Sequence, residues 1–351
     1  MTHDPPERSG PQQSQATKLV RRTCLSAIPL TAGLLFGGPS LGATYQISID
    51  SPMNLGSVVA APSGNTVFRI SPTTGAAPVV SGTGRRISTS SARAQVTLTC
   101  KPASAADLDC QTKKVVLQIG PIGSVTGRAR ALNGFTVSTG SVSIIPSPNG
   151  ANPIAVQMPP PGDNSPRTFF VGADFPVAGD DSNLPTGPGQ NGFYVSVLGA
   201  NGGVVSSDAD NGLVVVYRAL SIAKTADLNF GRIQTPPTGA STVSLDPATG
   251  LRSITGSGFG YPTPTPTRAA FSITGEGGQQ VSLSVPTSFD MTGPSTLTVT
   301  VTDTAPNAPS LSGAVGSAGN YNFTVGGTFS ITSATPSGSY SGVLTVSVDY
   351  N

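Results

Sequence analysis

The chain has 351 residues, of which 43 are Gly, 32 are Pro and only 10% are charged, against about 25% in an average soluble domain. Gly and Pro interrupt almost every stretch, and no window keeps the 3.6-residue apolar period of an amphipathic helix, so long helices are excluded. Frequent apolar runs rich in Val, Thr, Ile and Phe predict short strands joined by turns rather than disorder.

Residues 1–43 have the order of a secretory signal peptide: positive charge, apolar core, small residues. Lys18, Arg21 and Arg22 precede an apolar run of 15 residues, and small residues follow it up to Ala43. A membrane span needs about 20 residues, so this run is too short to cross a bilayer. We predict export, cleavage near Ala43 and no transmembrane segment in the mature chain. The pair Arg21-Arg22 leaves a twin-arginine signal as the alternative to ordinary secretion.

Loss of this leader leaves residues 44–351 without net charge. The leader holds four of the 19 Lys and Arg, two of the 17 Asp and Glu, and His3, the only His, so 15 basic and 15 acidic residues remain. A chain without a basic surface cannot neutralise phosphates, which argues against nucleic acid, and a chain without His is poorly suited to zinc. Cys100 and Cys110 are the remaining cysteines. In an exported protein we predict that they form a disulfide, with two free thiols as the alternative.

The sequence contains two copies of one module, as matches between distant segments show. The matching segments are 44–58 with 219–233 and 93–99 with 268–274, both at a shift of 175, and 169–177 with 323–331 at a shift of 154. The difference of 21 residues is an insertion in the first copy, between Cys100 and Thr168. We expect the disulfide loop and the Pro-rich segment 146–167 in this insertion to form surface loops.

We call residues 44–217 the first module and residues 218–351 the second module. Each is long enough for a β-sandwich with its own core, so we predict two tandem antiparallel β-sandwich domains. The final run LTVSVDY (344–350) alternates apolar and polar residues as a strand does, and NGLVVVY (211–217) is its predicted counterpart. No flexible linker follows NGLVVVY, so we expect the modules to be held end to end.

The second module carries a set of motifs in fixed order: LSIAKTADLNFGRI (220–233), LDPATG (245–250), AAFSITGEGGQQVSLSVP (269–286), FTVGGTFSI (323–331) and GSYSGVLTVSVDY (338–350). In these residues the chain resembles the bacterial exported family called domain of unknown function 4402 and, more distantly, spore-coat-U-type and chaperone-usher fimbrial subunits. The first module shares the resemblance at its two ends. The resemblance implies immunoglobulin-like β-sandwiches and export, and it brings no known catalytic residue.

Fimbrial subunits of that kind leave one strand position empty, and an N-terminal extension of a neighbouring subunit fills it by β-augmentation. This chain departs from the pattern, because almost no extension separates Ala43 from the first predicted strand and because two copies share one polypeptide. Donor-strand assembly is therefore the alternative and not the leading expectation.

Two enzyme-like motifs occur, and we interpret both as coincidental. Ser221 and Lys224 have the Ser-x-x-Lys spacing, but residues three apart face opposite ways on a strand. Ser40 has the Gly-x-Ser-x-Gly spacing, but it lies in the leader, and residues 44–351 contain no His to act as a base. We predict that the protein is not an enzyme and needs no cofactor.

Acidic and aromatic residues offer further alternatives for binding. Two acidic clusters resemble calcium loops but lack their alternate spacing: Asp208, Asp210 and Asn211, which a tight turn also explains, and Asp180, Asp181 and Asn183. Glu276 is the only Glu in residues 44–351, which leaves little for a glycosidase. The aromatic residues that could line a sugar-binding face are Phe193, Tyr194, Phe259, Tyr261 and Tyr321. Core packing accounts for most of them, so we predict no metal and treat glycan binding as an alternative.

The function predicted from these patterns is that of a non-enzymatic, exported structural or adhesive protein. We place it in the periplasm, on the outer cell surface or in the extracellular matrix of a bacterium, with other envelope or fibre subunits as expected partners. A surface glycan- or ligand-binding module and a fimbrial subunit assembled by donor-strand exchange are the alternatives.

Overall fold

The structure is a computed structural model that describes residues 42–138, 142–145 and 152–351. The predicted leader lies outside these residues except for Gly42 and Ala43. Within the described ranges the chain is nearly all strand, with a single α-helix, α1 (Asp109–Thr112), and a single 3-10 helix (Asp180–Ser182). The all-β prediction is confirmed.

The strands of the first module are β1 (Thr44–Ser51), β2 (Asn54–Val59), β3 (Thr66–Arg69), β4 (Val79–Ser81), β5 (Arg85–Arg86), β6 (Ala94–Lys101), β7 (Val115–Thr126), β8 (Asn133–Val137), β9 (Ser143–Ile145), β10 (Ile154–Met158), β11 (Arg167–Val177), β12 (Gly187–Leu198) and β13 (Val204–Tyr217). They form two sheets. One has the order β1-β6-β11-β3-β4 with β8 on β11, and the other has the order β5-β2-β13-β12-β7-β10-β9.

The strands of the second module are β14 (Ser221–Ala226), β15 (Ile233–Gln234), β16 (Ala240–Leu245), β17 (Arg252–Thr255), β18 (Phe259–Gly260), β19 (Ala269–Glu276), β20 (Val281–Ser284), β21 (Ser288–Thr292), β22 (Thr296–Asp303), β23 (Ala318–Thr332) and β24 (Ser347–Tyr350). One sheet has the order β14-β19-β23-β16-β17, with β22 on β23 and β21 on β22. The pairs β15-β18 and β20-β24 form two further sheets of two strands each.

The alternation of apolar residues sets the inward face of each strand. In β6 the side chains of Ala94, Val96, Leu98 and Cys100 are fully buried, and the residues between them are more exposed. This strand therefore has one face on the core and one toward solvent, as its period of two predicts. β19 begins and ends 175 residues after β6, so the repeat in the sequence is a repeat of strands.

The turns of the repeat coincide as well. Gly75 and Gly250 close the segments SPTTG and DPATG at φ of 74° and 73°, where a residue with a Cβ would be strained. Each donates its backbone N–H to the residue four positions earlier: Gly75 to Ser71 at 2.8 Å and Gly250 to Asp246 at 2.9 Å. The same glycine therefore fixes the same turn in both modules.

Two expectations from the sequence are corrected by the strand pairing. The Pro-rich segment is not a loop throughout, because β10 pairs with β7, and Val156 and Met158 of β10 are buried in the core. Its residues 146–151 lie outside the described ranges. The sandwich is also not wholly antiparallel, since β13 runs parallel to β2.

All the strand pairs among the described residues lie within one module or the other. The two modules nevertheless pack as one compact unit. The immunoglobulin-like class of the sandwiches and the boundary between residues 217 and 218 stay predictions.

Candidate functional site

β13 closes the second sheet of the first module. It pairs antiparallel with β12 along its length and parallel with β2 through Leu213 to Tyr217, so it joins the strands on either side into one sheet of seven. Its inward residues Gly212, Val214 and Val216 lie between the two sheets, and both valines are buried. Together with strands from both sheets, these valines form one continuous apolar core.

The second module lacks a counterpart of β13 among the described residues. β15 and β18 take the positions of β2 and β5, and β24 pairs with β20 in the way that β12 pairs with β7. In the described chain no strand lies between these two pairs, so the sheet that is continuous in the first module is divided in the second. SVDY (347–350) is therefore the counterpart of β12, and the prediction that it matches NGLVVVY is wrong.

The apolar core of the second module is divided in the same way. Among the described residues it forms two clusters, one around Phe271, Ile273 and Phe323 and the other around Phe230 and Phe329.

A groove of about 690 Å³ marks the place of the absent strand. One wall is the segment 228–235, which contains β15, and the other is the segment 335–340, which leads into β24. The floor is apolar and includes Met291, Leu297 and Phe329. The groove therefore lies along β15, which takes the place of the β2 edge that β13 covers in the first module.

The walls of the groove are less buried than their counterparts in the first module. The counterparts on β2 and the residue before it are Met53, Leu55 and Val58, each 0% exposed, against 7% for Phe230 and half-buried side chains for Leu228 and Ile233. The same contrast holds for the last strands, where Phe193, Val195 and Val197 are 0% exposed and Leu344, Val346 and Val348 are half-buried. The second module thus exposes apolar side chains that a further strand would cover.

Backbone groups at the groove also lack the partners that they have in the first module. The Met53 carbonyl accepts from the Leu213 N–H, and the Ala60 N–H donates to the Tyr217 carbonyl, both at 2.8 Å. The corresponding groups in the second module are the carbonyl of Leu228 and the N–H of Thr235, which both line the groove. None of the described residues hydrogen-bonds to them through its backbone. An open strand edge of this kind is a template for another strand.

A polar joint connects the two modules beside the end of β24. Glu276 is fully buried there, and its carboxylate accepts hydrogen bonds from the Thr186 hydroxyl at 3.0 Å, the Arg218 N–H at 3.2 Å and the Gly316 N–H. Thr186 belongs to the first module and Gly316 to the second. These donors offset the loss of hydration that a buried carboxylate suffers.

Asp180 makes the second polar contact of the joint. Its carboxylate pairs with the fully buried Arg128 and accepts from the Ala219 N–H at 2.8 Å. Arg128 and Asp180 lie in the first module and Ala219 follows the junction. This contact fixes the chain where it passes from one module into the next.

The end of β24 is held to the first module at two further points. Arg85 of β5 donates to both carboxylate oxygens of Asp349, with Nη1 and Oδ2 3.0 Å apart. The ring of Tyr350 packs against that of Tyr217 of the first module, with centroids 5.8 Å apart. The Tyr350 hydroxyl donates to the Arg218 carbonyl at 3.0 Å and accepts from the Glu276 N–H at 2.7 Å, both within the second module. Burial raises the pKa of Tyr350 to about 12, so this hydroxyl keeps its proton at neutral pH. The apolar side of the joint is Val59 of the first module, packed into the core around Phe271.

The two residues of the Ser-x-x-Lys motif contact different partners and not each other. The Ser221 hydroxyl is hydrogen-bonded to the Thr274 hydroxyl at 2.7 Å, and Lys224 pairs with Asp227. Ser221 and Lys224 are both exposed on β14. Ser40 of the other motif lies outside the described residues.

The acidic clusters hold the fold together. Asp208, Asp210 and Asn211 lie inside β13, so the tight turn predicted there is wrong. The Asp208 carboxylate accepts a hydrogen bond from the Ile49 N–H of β1 at 2.7 Å. Asp181 accepts from the Gly64 N–H at 3.0 Å. Across the described ranges, no group of three or more His, Cys, Asp or Glu side chains has the geometry of a metal site.

The five aromatic residues do not share one face. Phe193 is buried in the core of the first module, Tyr194 is half-buried beside it, and Tyr321 packs near Phe323 with ring centroids 6.4 Å apart. Phe259 and Tyr261 form an edge-to-face pair at 5.2 Å. Tyr261 lines the groove, which gives this pair a place beside the open strand position.

Cys100 and Cys110 form the predicted disulfide, which closes a loop containing the start of α1. In the described part of the chain, no helix is long and apolar enough to span a bilayer.

A family model agrees with the motifs of the second module. Residues 220–350 match the family described as Domain of unknown function (DUF4402). The match begins within three residues of the predicted boundary and includes both walls of the groove, so the open strand position lies in the matched segment. No curated protein matches the chain.

Solved structures of fimbrial proteins align with most of the chain at low similarity. A chaperone–tip adhesin complex of CFA/I fimbriae biogenesis aligns at 9% identity over 87% of this chain and 98% of that chain, with a TM-score of 0.22. The CsuC–CsuE chaperone–tip adhesion subunit complex of Acinetobacter baumannii aligns at 11% identity over 86% and 99%, with a TM-score of 0.26. A mutant of the enterotoxigenic E. coli adhesin CfaE aligns at 8% identity over 87% and 94%, with a TM-score of 0.23. At these scores the likeness carries no conclusion about the chain.

The sequence patterns alone did not reveal the groove, although one signal pointed to it. The shift of 154 that matches 169–177 with 323–331 places the start of β12 on Ser341 and so aligns β12 with the last residues of the second module, within one residue of the observed correspondence.

Proposed function

We propose that the chain is a non-enzymatic structural subunit of the bacterial cell surface whose second module is completed by a β-strand from a neighbouring subunit. The observation that carries this proposal is the sheet that β13 makes continuous in the first module and that is divided between β15 and β24 in the second. A strand added there gains backbone hydrogen bonds along its edges and covers apolar side chains on one face. Those two terms are the driving force of the proposed assembly.

β13 serves as a guide to the strand that fits. The added strand would run antiparallel to β24 and parallel to β15, as β13 runs relative to β12 and β2. Its inward residues would be small and then apolar, like Gly212, Val214 and Val216. A Cβ on Gly212 would lie 2.3 Å from Oδ1 of Asn191 and 3.0 Å from the ring of Phe175, and the counterpart of Phe175 in the groove is Phe329.

Two further features support a structural role outside the cytoplasm. The predicted signal peptide and the Cys100–Cys110 disulfide suit an exported protein. The joint uses two buried charges, Glu276 and the Arg128 that pairs with Asp180, and so favours a fixed arrangement of the modules over a flexible one. A subunit that bears load in a surface structure needs such a joint.

The proposal is tested with the full chain and a synthetic peptide of β13, DADNGLVVVY (208–217). Because a bound ligand stabilises the folded state by about 2.7 kcal/mol at a hundredfold excess over its Kd, the melting temperature should rise by roughly 5 to 10 °C. Calorimetric titration checks that binding is saturable with one peptide per chain.

Two matched controls separate strand addition from adhesion of an apolar peptide. A peptide with Val214→Asp and Val216→Asp should not bind, since both inward positions would then carry charge. The protein variant Ile233→Asp, which puts a charge on the wall of the groove, should lose the wild-type peptide. Equal binding of both peptides, or undiminished binding to the variant, would rule the proposal out, as would no binding to the wild type.

A further inference from the structure

The wall of the groove that contains β15 is held from behind by one side chain. The guanidinium of Arg252 donates to the carbonyl of Phe230 at 2.8 Å, to that of Arg232 at 3.3 Å and to that of Tyr261 at 2.7 Å. All three carbonyls belong to residues that line the groove. A planar fork of donors is suited to bind several fixed acceptors at once, so Arg252 fixes the path of this wall.

Two glycines make room for this side chain. A Cβ on Gly231 would lie 2.8 Å from Nη1 of Arg252, and a Cβ on Gly260 would collide with the same guanidinium. Gly231 also has φ of 74°, where a residue with a Cβ is strained. The wall and the arginine are therefore built to fit each other.

In the described part of the first module no arginine donates to the matching wall. The shift of 175 places Ala77 opposite Arg252, and there the wall formed by β2 is hydrogen-bonded to β13 instead. Another backbone-binding arginine of the second module, Arg268, does have a counterpart: Arg268 donates to the Pro247 carbonyl at 2.8 Å, and Arg93 donates to the Pro72 carbonyl at 2.7 Å. Arg252 is therefore specific to the module with the open groove, whereas Arg268 belongs to the turn that both modules share.

We propose that Arg252 is a positioning residue for strand binding: it holds the carbonyls of Phe230, Arg232 and Tyr261 in place while the groove is empty. The inference rests on the strand binding proposed above. A wall that is already ordered loses less conformational freedom when a strand arrives, and this preorganisation strengthens binding.

This role differs measurably from simple stabilisation of the fold. Loss of a residue that only stabilises the fold lowers the melting temperature of the free and the bound protein alike and leaves the affinity unchanged. Loss of a positioning residue lowers the affinity, mainly through slower association, so the same peptide concentration raises the melting temperature of the variant less than that of the wild type.

The experiment compares the wild type with Arg252→Ala, Arg252→Lys and Arg268→Ala in the full chain, with the peptide DADNGLVVVY as the probe. Stopped-flow kinetics gives the two rate constants, and thermal melts with and without peptide give the stabilities. For Arg252→Ala we expect Kd to rise about tenfold, the size of one lost hydrogen bond to a charged group, with association carrying most of the change. The Kd of Arg252→Lys, whose single ammonium reaches fewer carbonyls, should lie between those of the wild type and Arg252→Ala. Arg268→Ala should bind the peptide as tightly as the wild type does.

The outcomes distinguish this inference from the proposed function. If the wild type does not bind the peptide, the proposed function fails and the role of Arg252 fails with it. If the wild type binds and Arg252→Ala binds equally well, strand binding stands and the role of Arg252 is refuted. That role is also refuted if Arg268→Ala weakens binding as much as Arg252→Ala does, or if the change lies wholly in dissociation.

Discussion

In the first module β13 lies between β2 and β12, and its valines belong to one continuous core, whereas the second module leaves the same place open between β15 and β24. The two modules share the order of their other main strands and the glycine turn at Gly75 and Gly250. The difference indicates that a single strand determines whether this sandwich is complete by itself. It also isolates the contacts that hold an incomplete sandwich in shape.

Those contacts come from two directions. Arg252 holds the wall with β15 through three backbone carbonyls, and the first module holds the end of β24 through Arg85 and Tyr217. The complete module thus supports the incomplete one across the joint. Hydrogen bonds to fixed partners replace, on each side of the groove, part of what β13 provides in the first module.

The largest expected effect comes from making the first module as incomplete as the second. Val216→Asp places a charge at a position of β13 that is 0% exposed, beside apolar side chains that cannot pair with it. We expect the free energy of unfolding to fall by more than about 3 kcal/mol, since an unpaired buried charge is among the most destabilising changes. Urea denaturation followed by circular dichroism measures the loss.

The control for this variant lies on the same strand. Val205 is 55% exposed, so Val205→Asp should change the stability by no more than about 0.5 kcal/mol. If Val216→Asp is as mild as Val205→Asp, the first module does not depend on β13, and the contrast between the modules loses its meaning.

The next effect compares matched positions on the last strands. Val195 on β12 is 0% exposed and its counterpart on β24, Val348, is half-buried. Val195→Ala should cost about 2 to 3 kcal/mol of stability and Val348→Ala about 1 kcal/mol, because the second site has less burial to lose. Saturation with the β13 peptide should raise the cost at Val348 toward that at Val195. A cost at Val348 that equals the cost at Val195 without peptide would mean that β24 is already covered.

Much of this architecture could be predicted from the sequence, because it depends on patterns of residues that are close together in the chain. Alternation predicts β6 and β19, the glycine turns recur at a fixed shift, and the two remaining cysteines predict their own pairing. These features depend on residues close together in the chain or on a simple count. They can be recognised without knowing which strand pairs with which.

The groove and its supports depend on pairing between distant residues. LTVSVDY alternates equally well as a counterpart of β12 or of β13, and only its pairing with β20 decides between them. Arg252 resembles any surface arginine until Phe230, Arg232 and Tyr261 are brought around it. Short polar residues before Gly are typical of turns, which favours a turn at Asp208, and the long β12–β13 pairing overrides that preference.

The smallest expected effect concerns the contact by which the complete module supports the open strand. The hydrogen bonds from Arg85 hold the pKa of Asp349 below its ordinary value. A carboxyl whose folded pKa is depressed adds stability above its unfolded pKa of about 3.9 and loses it as the pH falls through the lower folded value. Both side chains are about half exposed, at 47% and 55%, so solvent screening keeps the contribution below about 1 kcal/mol. NMR titration of the Asp349 carboxyl should show its pKa return toward the ordinary value in Arg85→Ala, while Arg69→Ala, which breaks a similar pair with Asp174 inside the first module, should leave it unchanged. An Asp349 titration that does not respond to the loss of Arg85 would show that the two modules do not meet at this point in solution. The support of β24 by the first module would then rest on the packing of Tyr350 with Tyr217 and Val59.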